Sequence, residues 1–333
     1  MMNRFTWLLA ACLLSTAGLA SAQNGNGTEP ALVPVPAAIT PIADHAMILG
    51  TALAGRRLVG VGDHGVILLS DDGGKTVRQA RSVPVSSTLN EVSFADERHG
   101  WAVGHWGVIL ATDDGGETWQ LQRLAAQEDR PLFSVHFRDA SHGVAVGLWS
   151  LVVTTDDGGK HWTTRSVPPP PGANKADLNL LHLFESPGGR LYVAAERGAV
   201  LVSVDHGANW DYLSTGYKGS FWTGVAVSNQ ILVVAGQRGV IFRSADAGQT
   251  WTQVDVGAKS SITSLAASGQ EVLAVGLDGL LARSVDGGRT FHAQMRADKL
   301  SLTATAALPS GGWALWSRAG LVGESVIATA GEP

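Results

Sequence analysis

Along this chain, apolar runs of only a few residues alternate with short clusters of Gly, Asp, Ser and Thr. The stretch Leu89–Trp119, "LNEVSFADERHGWAVGHWGVILATDDGGETW", shows the unit most clearly. "LNEVSF", "GWAVG" and "GVILAT" each read as a short strand bounded by glycine-bearing turns, and "TWQLQ" supplies a fourth. No segment sustains a helical apolar period, and Gly interrupts every stretch, which excludes helical repeats.

The unit recurs. Ser/Thr-x-Asp-x-Gly-x-x-aromatic begins at Ser70, Thr112, Thr155, Ser203, Ser244 and Ser284, with Val77 closing the first copy in place of an aromatic. Its aspartates, Asp72, Asp114, Asp157, Asp205, Asp246 and Asp286, are separated by 42, 43, 48, 41 and 40 residues. Upstream of each lies Gly-x-x-Gly and an apolar run, as in "GDHGVIL" at Gly62 and "GHWGVIL" at Gly104. "GQRGVIF" at Gly236 and "GLDGLLA" at Gly276 are further copies, while "GLWSLVV" at Gly147 and "AERGAVL" at Ala195 are degenerate. A weaker seventh copy is "SRAGLV" at Ser317. The longest interval is explained by "PPPPGANKAD", Pro168 to Asp177, a proline-stiffened loop insertion.

Four strands in about 40 residues is the signature of a propeller blade. The chain is therefore expected to be all-β, a seven-bladed β-propeller with four-stranded antiparallel blades. Its last blade lacks a clear fourth strand, and "ALVPVPAAI", Ala31 to Ile39, is predicted to supply it as an N-terminal strand closing the ring. The repeated aspartates fall in the hairpin between third and fourth strands. An Asp there can accept backbone N–H bonds of its own turn, and six recurrences argue for architecture, since an active site is needed only once. The alternating ligands and distal Glu of a calcium loop are absent from the pattern.

Composition narrows the function. Of 333 residues, 45% are apolar, 16% are charged and 41 are Gly, and the formal net charge of −5 offers no basic footprint for nucleic acid. Residues 1–22 read as a signal peptide, with Arg4, the apolar "FTWLLAACLLSTAGLA" and "ASA" before Gln23. "LAAC" at Leu9–Cys12 looks like a lipoprotein box, but the apolar run continues past Cys12, which favours ordinary cleavage. Cleavage removes the sole cysteine, leaving residues 23–333 as one propeller domain without disulfides, a thiol nucleophile or a thiolate metal site. No later run is long and apolar enough to insert in a bilayer, so the mature protein is expected outside the cytoplasm, in the periplasm.

These motifs resemble the Asp-box, or BNR, repeat over the whole mature chain. Among families that carry it, the chain is most similar to the photosystem II stability and assembly factors, on Leu89–Trp119 and on "LFSVHFRDASHGVAVG", Leu132–Gly147. That resemblance implies an exported, monomeric, non-enzymatic scaffold that docks membrane-protein complexes or their assembly intermediates, with no cofactor. In a photosynthetic host the compartment would be lumen-like. Sialidase-like glycoside hydrolases and carbohydrate-binding propellers share the box and remain the alternative. The chain has no Arg-Ile-Pro, and its only tyrosines are Tyr192, Tyr212 and Tyr217, with Tyr192 at a core position.

Propeller ligands usually approach the face bearing the turns between second and third strands, opposite the Asp boxes. The residues inside each Gly-x-x-Gly form that candidate face: Asp63, His64, His105, Trp106, Trp149, Glu196, Arg197, Gln237, Arg238, Asp278 and Arg318. Arg and Trp are frequent anchors of protein recognition. His64 and His105 with Asp63 lack a third close metal ligand. Asp63, Glu196 and Asp278 are the carboxylates a glycosidase pair would need. His99 and His142 recur in the first-to-second-strand turn, as structural residues do.

Overall fold

The inner strands Ile48–Ala54, Leu89–Phe94, Leu132–Phe137, Leu180–Glu185, Phe221–Ala226, Ile262–Ser268 and Leu302–Ala307 each begin a separate antiparallel sheet. This computed structural model describes residues 33–322. Six sheets have four strands in sequence order and the seventh has three, which makes a seven-bladed propeller. The blade 2 strands, Leu89–Phe94, Gly100–Gly104, Ile109–Thr112 and Gln120–Arg123, coincide closely with the runs read from the sequence. Second strands are buried throughout in blades 2 to 5, because both faces of each central strand meet a neighbouring blade. The predicted signal segment, 1–22, lies outside the described residues.

The Asp–Gly turns are held by their own side chains. In blade 2, Thr112 Oγ1 donates to Asp114 Oδ1 at 2.8 Å, and the Thr118 N–H and hydroxyl donate to the two carboxylate oxygens at 2.9 and 2.7 Å. Gly116 N–H donates to Thr112 Oγ1 at 3.0 Å, and the buried Trp119 indole donates to the Gly116 carbonyl at 2.9 Å. The corresponding Asp72, Asp157, Asp205, Asp246 and Asp286 accept the same Ser or Thr hydroxyl two residues earlier. Asp246 is held at about 2, chiefly by the Thr250 hydroxyl and N–H.

Adjacent inner strands are joined by a ring of side chain to backbone bonds. Ser134 accepts Leu183 N–H at 3.0 Å, His182 Nδ1 accepts Gly224 N–H at 3.2 Å, and Thr223 accepts Leu265 N–H at 3.1 Å. Ser264 continues the series with Thr305 N–H at 3.3 Å. Between blades 7 and 1, the fully buried Trp316 indole donates to Thr51 Oγ1 at 2.9 Å.

The predicted N-terminal clasp does not form. Residues 33–39 are not a strand, and no strand pairs with the outer edge of Gly320–Val322 among the described residues. Instead Ala37 N–H bonds the Val83 carbonyl, and the Gln79 amide bonds Ala38 and Thr40, which lays the segment on blade 1. Pro34 and Pro36 have no N–H to give a ladder, so this segment is poorly suited to strand pairing despite its apolar residues.

Candidate docking face and central channel

Each Gly-x-x-Gly folds as a single 3-10 turn, Asp63–Gly65, His105–Gly107, Leu148–Ser150, Glu196–Gly198, Gln237–Gly239 and Leu277–Gly279. Its first N–H donates to a carbonyl just ahead of the same blade's inner strand, as from His105 to Thr88 and Leu277 to Ser261. The glycine preceding the turn permits this approach, since a Cβ at Gly104 would collide with the Thr88 carbonyl and one at Gly276 with that of Ser261. Every turn lies on the end of the blade opposite its Asp–Gly hairpin, by strand alternation, and rests against the next blade's inner strand.

The second residue of every turn is left-handed: His64, Trp106, Trp149, Arg197, Arg238 and Asp278 have φ between 52° and 59°. Such a backbone favours glycine, yet five of these six positions carry a bulky or charged group of another kind than Asp. His64, His105, Arg197, Gln237, Arg238, Asp278 and Arg318 are exposed, and Trp149 retains 58% of its surface. Arg318 differs in setting, occupying a tight turn between Ser317 and Gly320 instead of a 3-10 turn. Trp106 is less accessible than Trp149: it is half-buried, in a cleft lined also by Val33, Pro34 and Val35. The cleft brings together residues from three separate stretches of chain, 33–35, 85–87 and 106–124, which no local pattern reveals.

The three carboxylates of the face are not brought together. Asp63 accepts the Thr88 hydroxyl at 3.3 Å, Glu196 accepts the Asn179 N–H and amide at 2.9 and 3.0 Å, and Asp278 accepts the Ser260 hydroxyl at 3.0 Å. Each braces a different connection ahead of an inner strand. Arg197 reaches Asp177 of the proline-rich loop at 3.4 Å, while Arg238 and Arg318 have no ion pair among the described residues. No group of three or more His, Cys, Asp or Glu suited to a metal occurs among the described residues. His99 and His142 each bond the aspartate three residues earlier, at 2.8 and 2.9 Å, inside their own turns. Tyr192 is fully buried, its hydroxyl on the Ala247 carbonyl.

The channel holds polar residues that the sequence reading passed over. Glu91, His136, His182 and Glu185 line it from blades 2, 3 and 4. His136 Nε2 lies 3.0 Å from Glu185, and His182 Nε2 lies 3.8 Å from Glu91. Burial pushes Glu91 up to about 8 against the pull of the Val92 and Thr51 N–H groups, and pushes His182 down to about 4. The Gly224 N–H on Nδ1 fits a neutral His182 ring with its proton on Nε2. The available signal was a polar residue at the third position of the inner strand, as in "LNEV", "LLHL" and "ITSL".

Seven blades, with Asp–Gly hairpins on one end and a mixed Arg, His and Trp face on the other, define a seven-bladed β-propeller. A sequence model described as photosynthesis system II assembly factor YCF48 matches residues 75–133 and 126–268, more than half of the chain. The chain belongs to this family. Among solved structures it is similar to one titled "YCF48 bound to D1 peptide", with a TM-score of 0.69 and 20% identity over 87% of this chain and 98% of that one. YCF48 from Cyanidioschyzon merolae gives a TM-score of 0.67 and 16% identity over the same shares, so both likenesses concern the fold. No curated protein matches the chain.

Proposed function

We propose that this chain is an exported, non-catalytic scaffold that docks a membrane-protein subunit or its assembly intermediate through the face of its Gly-x-x-Gly turns. One observation carries the reading. Large side chains, among them Trp149, Arg197 and Arg238, occupy left-handed positions where glycine would fit at lower backbone cost. A fold that needed only the turn would be served by Gly, so the side chains themselves are the reason for the strain. The structural relative bound to a D1 peptide supports a membrane-protein client. The separate commitments of Asp63, Glu196 and Asp278 support a non-catalytic role. The signal-like residues 1–22 support delivery to the periplasm or an equivalent compartment.

The test is affinity capture of the tagged mature protein from detergent-solubilised membranes, beside a Trp149/Arg197/Arg238 triple-alanine variant that melts normally. Retention of one membrane complex by the native face alone is the expected result. Equal retention by both proteins overturns the assignment of the face. Amino-terminal sequencing of the exported protein should begin at Gln23.

A further inference from the structure

The contact between blades 3 and 4 departs from that between blades 2 and 3 at two positions. Phe137 ends the inner strand of blade 3, opposite Gly143, and its ring stacks on Trp101 of blade 2 with centroids 3.5 Å apart. It also meets Trp162 edge-on at 5.8 Å. Blade 2 has Phe94 in the same register, opposite Gly100 and edge-on to Trp119. Blade 4 has Glu185 there, opposite Leu191. The counterpart of Trp101 on the facing wall is Val144, the residue that follows the strand's first glycine. Two rings that fill the contact between blades 2 and 3 are therefore replaced by a carboxylate and an isopropyl group.

The result is a cavity of about 170 Å³, partly open to solvent, at the end bearing the Asp–Gly hairpins and away from the proposed docking face. Val144 and Leu191 give it apolar walls, each almost wholly buried. At one side Glu185 is held by a hydrogen bond with His136 at 3.0 Å. At another, Arg165 Nε donates to Thr154 Oγ1 at 2.9 Å, and the guanidinium has no carboxylate partner among the described residues. Arg138 is already engaged, against His206 and with Asp139 at 3.3 Å. Asp156 also lines the mouth, exposed, and sets a limit on how much negative charge can enter.

We propose that this cavity binds a small aromatic carboxylate, its ring in the mouth over Val144 and Leu191 and its carboxylate on the Arg165 guanidinium. The ring takes the role that Phe137 has one blade earlier. The carboxylate supplies the planar, two-oxygen acceptor that an anchored guanidinium fork matches. With one ring and one partly exposed ion pair, affinity on the order of 1 mM is expected.

The experiment is an amide NMR titration of residues 23–333 with phenylacetate, benzyl alcohol and acetate. Phenylacetate should shift the Val144, Leu191 and Arg165 signals saturably, with the other two ligands at least ~10-fold weaker. Glu185→Phe, which restores the ring found in blades 2 and 3, should abolish the shifts. If that variant fails to fold, Val144→Trp fills the cavity from the facing wall in imitation of Trp101. Arg165→Gln should weaken phenylacetate about 10-fold and leave benzyl alcohol unchanged. Shifts that persist in a folded cavity-filled variant, or acetate binding as tightly as phenylacetate, would overturn the proposal.

Discussion

Glu91 of blade 2 reaches towards the backbone N–H of Thr51 in blade 1, across space that exists because residue 50 is glycine. The same carboxyl accepts its own neighbour's N–H, from Val92 at 3.0 Å. In blades 3 to 6 the third residue of each inner strand, Ser134, His182, Thr223 or Ser264, accepts an N–H from the next blade. Ala304 in blade 7 and Gly50 in blade 1 have no side chain able to do so. One glutamate serves both gaps.

Gly50→Ala should therefore destabilise the propeller. The added Cβ would lie 2.6 Å from both the Asn90 carbonyl oxygen and Glu91 Cα, backbone atoms that cannot step aside. A loss of about 2–3 kcal/mol is expected from overpacking of this kind, read from urea melts with an unchanged m-value.

The channel also predicts an alkaline loss of stability. Glu91 has its pKa raised from 4.5 to about 8, so its contribution is complete below pH 4.5 and is lost as pH rises towards 8. His182 is lowered from 6.5 to about 4, so its contribution is present above pH 6.5 and is lost as pH falls towards 4. The two slopes oppose one another between pH 4.5 and 6.5, and Glu91 acts alone from 6.5 to 8. Tm should fall across that upper interval in the native protein and stay level in Glu91→Gln, which keeps an acceptor but does not ionise. Parallel curves for the two proteins would refute the burial of this carboxyl.

Asp114→Ala removes the acceptor for the Thr112 hydroxyl, the Thr118 hydroxyl and the Thr118 N–H. Losing a turn's internal acceptor should cost about 1–3 kcal/mol. A chelator should leave the melt of the native protein unchanged, because the carboxylate oxygens are already occupied by their own turn. A chelator-sensitive melt would mean that a metal contributes to these hairpins.

Arg238 has φ of 58° and is exposed, so Arg238→Gly relieves a left-handed residue without opening a cavity. Stability should rise, by about 0.5–1 kcal/mol, while membrane-complex capture weakens. If capture is unaffected, Arg238 does not belong to the docking surface.

The propeller was legible in the sequence because one turn chemistry repeats at nearly constant spacing, and the strand limits of blade 2 follow from its glycines. The clasp was misread because apolar content outweighed Pro34 and Pro36, whose missing donors decide the matter. The candidate face was legible as a set of turn positions, but the burial of Trp106 was not, since its cleft is assembled from separate stretches of chain. Glu91 and His182 were invisible one blade at a time. Each is a polar residue at the third position of its inner strand, and its meaning emerges only when the strands are set side by side around the axis.

The left-handed turn has a consequence for how such a surface can change. His, Trp, Arg and Asp already share one backbone shape there, and their turns are anchored by main-chain bonds to the carbonyl ahead of each inner strand. Identity and architecture are thus uncoupled at these positions. The exterior can exchange one chemistry for another, residue by residue, while the wheel beneath keeps its form; related propellers could acquire new clients without first remaking the fold.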